Sequence, residues 1–142
     1  MKKKVIISAC LLGVECRYDG KSNRLTEEKL RELSEKYELI PVCPECYGGL
    51  TTPRVPSERV GDSVLSKTGT DVTKQFNRGA EAALYLAKLL GADMAILKEN
   101  SPSCGSGTIY DGTFSGTLTP GDGVTAQLLK ANGIAVIGES EI

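Results

Sequence analysis

Apolar residues gather in four short runs along the chain, each holding β-branched side chains: 5–9 (VIISA), 39–43 (LIPVC), 94–98 (MAILK) and 134–138 (IAVIG). Runs this short and this apolar read as strands buried on both faces. The segments between them follow a helical period. Thr26 is placed to cap a helix that has Glu27 and Glu28 in its first turn and Leu30, Leu33 and Tyr37 on one face. A longer helix is predicted to begin near 71–73. Its inward stripe is Val72, Phe76, Ala80, Ala83, Leu84, Ala87 and Leu90, and Gly91 stops it. After Gly121, Asp122 and Gly123 a last helix turns Val124, Leu128 and Ala131 inward and ends at Asn132 and Gly133. Residues 58–66 (ERVGDSVLS) resemble a small hairpin around Gly61 and Asp62.

Strands alternating with helices predict an α/β fold, a single three-layer domain with a parallel, Rossmann- or flavodoxin-like sheet and a small hairpin insertion. Right-handed crossovers favour the strand order 2-1-3-4. No repeat, low-complexity segment or linker divides the chain, so residues 1–142 read as one domain.

Charge narrows the partners. The 17 basic and 18 acidic side chains leave a formal net charge of −1, and MKKK at the start is the only basic cluster. Neither a nucleic-acid nor a membrane partner is expected from that balance, and a tRNA substrate is disfavoured for the same reason. The apolar run after the lysines is too short to span a bilayer and no signal-type cleavage site follows it. A cytoplasmic protein is expected.

The cysteines change the picture most. There are five, Cys10, Cys16, Cys43, Cys46 and Cys104, and no histidine. An odd number without an export signal argues against a disulfide framework and for metal or redox chemistry. The missing imidazole excludes Cys2His2 zinc sites and Ser-His or Cys-His catalysis. Cys10 follows the first predicted strand, Cys43 ends the second, and Cys104 sits in the loop after the third, inside the polar stretch KENSPSCGSGTIYDGTFSG (98–116). All three therefore fall on the carboxyl edge of the sheet, where open α/β folds build their sites. Neighbouring strands lie about 4.8 Å apart, so three thiols there can converge on one object.

Soft sulfur donors suit zinc, copper(I) or an iron–sulfur cluster. Zinc needs a fourth ligand, here Cys16, Cys46 or a carboxylate. A [4Fe–4S] cluster on three cysteines leaves one iron open as a Lewis acid. The plainer reading, core cysteines at strand ends, fits Cys10 and Cys43 singly and Cys104 poorly. The CPEC at 43–46 has the spacing of a redox pair. The YGGLTTPRVP that follows, with two glycines and two prolines, argues that no helix starts there, so that reading is set aside. Cys46 is then a spare ligand or an ordinary thiol, and Cys16 has a weaker case still.

These same residues carry a family resemblance. SACLLG with RYDGK (8–21), CPE with GGL and PRVPSE (43–58), GTDVT with F and GA (69–80), and LKENSPSCG with YDGTFSG (97–116) resemble the DUF523 family, which includes bacterial thiouracil desulfidases. The likeness runs in order over almost the whole chain. It implies a [4Fe–4S] cluster on Cys10, Cys43 and Cys104, and removal of sulfur from 2-thiouracil or a related thiolated pyrimidine. The products would be uracil and hydrogen sulfide, without net redox change, and the partner a small thiolated nucleobase. It also implies Glu45 as the acid/base and Ser101 as a positioning or proton-relaying serine. Cys16 and Cys46 depart from the family pattern.

By the residues alone, Glu45 sits two positions from a proposed ligand, as a base near the reacting carbon should. A solvated loop carboxylate is its other reading, and a plain cap or loop serine is that of Ser101. Arg17, Asp19 and Arg54 are secondary candidates for a pyrimidine edge or for cluster charge, with turn and loop-bridging roles as their alternatives. Lys98 faces either the site or solvent, and SCGSG lacks the ending of a phosphate loop. Two other functional classes stay open here: an iron–sulfur redox-sensing or electron-transfer module, and a zinc-stabilised binding domain without catalysis.

Overall fold

The computed structural model describes residues 2–142. In chain order the strands and α-helices are β1 (Lys3–Ser8), α1 (Glu27–Lys36), β2 (Tyr37–Val42), α2 (Pro44–Tyr47), β3 (Ser57–Val60), β4 (Ser63–Ser66), α3 (Thr73–Leu90), β5 (Met94–Leu97), β6 (Thr108–Tyr110), β7 (Leu118–Pro120), α4 (Val124–Ala131) and β8 (Ala135–Gly138). The four apolar runs form one parallel sheet in the order β2-β1-β5-β8. Counting only those four strands, this is the expected 2-1-3-4.

Both faces of the sheet are covered, because successive side chains of its inner strands point to opposite sides. Val5, Ile7 and Ile96 pack with Leu11 and Leu33 on the α1 side. Ile6, Ala95 and Leu97 pack with Ala83, Ala87, Ala126 and Leu129 of α3 and α4 on the other. The small alanines of α3 let that helix lie close to the sheet. Thr26 caps α1 as expected, its hydroxyl oxygen accepting from the Lys29 N–H at 3.3 Å. Gly91 ends α3 in the left-handed region, with φ 76°.

Three expectations need correction. Leu90 is 37 % exposed and lies off the inward stripe of α3. In α4 the buried residues are Thr125, Ala126 and Leu129, one position away from the predicted stripe, and Ala131 is exposed. The loop around Cys104 sets that rotation. The Val124 N–H donates to the Pro102 carbonyl at 2.9 Å and the Thr125 N–H to the Ser103 carbonyl at 2.8 Å. The Ser103 and Thr125 hydroxyls bond each other at 2.8 Å in the core. Third, Pro44–Tyr47 does form a helical turn, with Cys43 at its N-cap and a proline in its opening positions.

The predicted hairpin is β3–β4, Ser57 facing Ser66 and Val60 facing Ser63. A second hairpin, β6–β7, went unpredicted because its strands have three residues each and a long loop between them. The nearly buried Glu58 on β3 fastens that loop, accepting from the N–H groups of Gly112 at 2.9 Å and Phe114 at 3.1 Å. At one edge of the sheet, Pro41 on β2 brings no N–H, and the Tyr47 hydroxyl donates to its carbonyl at 3.2 Å.

Candidate functional site

The carboxyl ends of β1, β2 and β5 open into a cavity of about 560 Å³. Cys10 stands in the 3-10 turn Ala9–Leu12 that β1 runs into, Cys43 at the residue after β2, and Cys104 in the loop after β5. All three line the cavity, together with Cys16, Glu45 and Ser101. Strand topology thus gathers the thiols expected from the sequence, and Cys16 joins them from the loop after the 3-10 turn. Cys46 does not line the cavity; its thiol sits 3.5 Å from the Thr52 hydroxyl, behind Cys43.

Three of these thiols hold their protons more tightly than usual, although the Lys98 charge lies near Cys10 and that of Arg54 near Cys16. Burial pushes the Cys104 thiol up to about 12, against hydrogen bonds from Ser8 and Ser103. Burial likewise raises Cys10, against a hydrogen bond from Asn23. Cys43 is pushed up by its hydrogen bond with the Cys16 thiol and then by burial. Thiols that burial keeps protonated give up their protons when a metal arrives. The donor set is therefore suited to a soft, positively charged group. Among the described residues no three Cys, Asp or Glu side chains close around a single bare ion. Several thiols on one cavity wall, with no histidine in the chain, are the donor set of a soft sulfur-ligated metal or cluster.

Glu45 lies on the turn α2 with its side chain 20 % exposed, paired to Arg54, whose side chain is 8 % exposed. Arg54 Nε donates to Glu45 Oε1 at 3.2 Å. Burial raises the Glu45 carboxyl, and the Arg54 charge and hydrogen bond only partly offset it. Arg54 also donates to the Cys16 carbonyl at 3.0 Å, the Thr52 hydroxyl at 3.0 Å and the Thr51 carbonyl at 3.2 Å. It bridges the loops, as its plainer reading had it, and in doing so aims a carboxylate into the cavity. That link joins residues nine apart through an irregular loop, so the sequence carried no signal for it.

Ser101 is both cap and cavity residue. Its hydroxyl oxygen accepts from the N–H groups of Ser103 and Cys104, each at 3.1 Å, which fixes the Cys104 loop and leaves the hydroxyl proton free for another acceptor. Arg17 pairs with Asp19 at 2.9 Å, stacks on Tyr18 and donates to Asn23 at 3.2 Å. Of these, Arg17, Tyr18 and Asn23 line the cavity; Asn23, beside Cys10, was not anticipated. Lys98 lines it as well and is held by Glu139 at 2.8 Å, while Glu139 also accepts from the Glu99 N–H at 2.6 Å.

A parallel α/β sheet whose carboxyl edge carries several cysteines and a half-buried carboxylate marks a candidate sulfur-ligated site. The chain belongs to the 2-thiouracil desulfurase family, whose model matches residues 5–141. Uncharacterized protein YbbK of Bacillus subtilis (strain 168) is 45 % identical over 148 residues, covering 97 % of each chain. A solved structure titled [4Fe-4S]-dependent thiouracil desulfidase TudS (DUF523Vcz) superposes with a TM-score of 0.95 at 48 % identity, over 99 % of this chain and 93 % of that one. Among the described residues no helix is long and apolar enough to cross a membrane.

Proposed function

We propose that this chain is a [4Fe–4S]-dependent desulfidase that hydrolyses the C=S bond of 2-thiouracil or a related thiolated pyrimidine. Thiouracil and water become uracil and hydrogen sulfide, and no electrons are gained or lost. The observation that carries the reading is one cavity lined by Cys10, Cys43, Cys104, Glu45 and Ser101, in a chain 48 % identical to a protein named for this activity. Cys10, Cys43 and Cys104 hold the cluster in this reading. When bound, the cluster supplies an iron with an open position, a Lewis acid for the thiocarbonyl sulfur.

The remaining steps fall to side chains. Glu45 takes a proton from the water that attacks the thiolated carbon, and its partly desolvated carboxyl is a better base than one in bulk water. Arg54 holds Glu45 in place and balances its charge. Ser101, its oxygen already filled by two N–H groups, donates its proton toward the reacting centre. Tyr18 and Arg17 at the cavity wall offer a flat apolar face and a donor to a pyrimidine. A free base or nucleoside fits the near-neutral chain, and a cytoplasmic setting fits its many free thiols.

The test is to purify the chain without oxygen and assay iron, acid-labile sulfide and the release of sulfide from 2-thiouracil. About four irons per chain, with matching sulfide and turnover to uracil, is the expected result. Zinc in place of iron, or a full cluster that leaves thiouracil untouched, would refute the reading. Glu45→Gln is expected to keep its iron and lose turnover on the order of a hundredfold, the usual worth of a positioned base. Steady-state kinetics on the loaded variant checks it, and unchanged turnover would remove Glu45 from the chemistry.

A further inference from the structure

Cys46 has no part in the proposed reaction, yet it shares one helical turn with Cys43, whereas Cys16 reaches Cys43 from a separate loop. The CPEC stretch opens the turn α2, with Cys43 at the N-cap and Cys46 three positions on. Three residues along one helical turn bring the two side chains to the same side of it, the spacing of a CxxC pair. The Tyr47 N–H donates to the Cys43 carbonyl at 2.9 Å, which holds the turn closed. Behind, the Thr52 hydroxyl at 3.5 Å and Arg54 Nη1 at 4.0 Å keep the Cys46 sulfur on that side. Cys46 is half-buried and open to small reagents, whereas Cys16, the other thiol against Cys43, is 8 % exposed and belongs to a separate loop.

We propose that Cys43 and Cys46 form a reversible disulfide when the cluster is absent, and that this bond is a lock on cluster assembly. The oxidant is a peroxide. Attack by the Cys46 sulfur forms an S–O bond, breaks the O–O bond and releases one water, leaving a sulfenic acid. The Cys43 sulfur then attacks the Cys46 sulfur. An S–S bond forms, the S–O bond breaks, and the hydroxide leaves with the Cys43 proton as a second water. Two thiols lose two electrons and one hydrogen peroxide becomes two waters. A dithiol reductant reverses the bond. The disulfide spares Cys43 from further oxidation to sulfinic acid, which thiols do not reverse. The lock, though not the bond, rests on Cys43 being a cluster ligand.

Cluster-free protein is treated anaerobically with one equivalent of hydrogen peroxide, alkylated, digested with trypsin and weighed by mass spectrometry. Residues 37–54 fall in one tryptic peptide with both Cys43 and Cys46, and residues 5–17 in another with Cys10 and Cys16. The expected product is peptide 37–54 with neither thiol alkylated, two hydrogens lighter, beside a fully alkylated 5–17. A cross-link between the two peptides, five alkylated cysteines or sulfinic acid on wild-type Cys43 would overturn the pairing. The oxidised wild type is then expected to take up iron and sulfide only after dithiothreitol. Cys46→Ser, given several equivalents of peroxide, is expected to carry Cys43 on to the sulfinic acid and not to recover its iron capacity with dithiothreitol, whereas the wild type under the same excess recovers it. If the disulfide maps to 37–54 but the oxidised chain still loads iron, the lock fails. Cys43 would then also fall as a ligand, while the bond itself would stand.

Discussion

Cys104→Ser is expected to yield a folded chain that holds little iron and releases no measurable sulfide from 2-thiouracil. Cys104 is 6 % exposed, inside the cavity, and the only cysteine the chain brings from the β5 side. A serine hydroxyl is a harder, far less acidic donor than a thiol and does not replace it on iron. Two hydroxyls already face the position, from Ser8 and Ser103, so a new hydroxyl finds hydrogen-bond partners and the fold survives. Circular dichroism and a thermal melt establish folding, and iron and acid-labile sulfide establish loading. Cys46→Ser, prepared in parallel without oxidant, is expected to keep its iron because Cys46 lies outside the cavity lining. A Cys104→Ser chain that loads and turns over normally would show that the third leg of the site is elsewhere.

Gly79→Ala is expected to destabilise the chain by about 3 kcal/mol, against a helix propensity that favours alanine by about 1 kcal/mol. A Cβ at Gly79 in α3 would sit 1.7 Å from the Pro44 carbonyl oxygen, and one at Gly48 would sit 1.9 Å from the Gln75 carbonyl oxygen. The two helices α2 and α3 therefore meet backbone to backbone, with a glycine on each side of the seam. Neither glycine has a positive φ, so closeness rather than conformation requires them. Relief can come only from main chain moving, and Pro44 lies between Cys43 and Glu45. The expected readout is a melting temperature lower by about 10 °C together with poorer iron uptake. A melting temperature equal to or above wild type would mean that propensity wins and the seam is slack.

Much of this architecture was legible because it rests on features the sequence displays directly. Four apolar runs with helical segments between them allow few parallel orders, and Gly61 with Asp62 announces its hairpin. What escaped detection was short or set from a distance. The turn α2 has four residues, too few for any periodicity, and the glycines and prolines that follow read as helix breakers, although Pro44 sits where a helix accepts one. The facing of α4 is set by hydrogen bonds to Pro102 and Ser103, about twenty residues upstream. In the site, Cys10, Cys43 and Cys104 were found because strand ends share an edge. The Arg54 clamp on Glu45 and the contact of Asn23 with Cys10 are made by loops, whose paths no spacing rule gives.

The far edge of the sheet has a bearing on how such a protein survives before its cofactor arrives. A parallel strand turns the N–H and C=O of a given residue toward the same neighbour, and an exposed edge invites a strand from another molecule. At Pro41 the first group does not exist and the second is occupied by the Tyr47 hydroxyl. An incoming strand finds a gap in the ladder there. At the opposite edge β8 offers only four residues. Newly made chains can thus wait for iron at high concentration with little tendency to aggregate edge to edge.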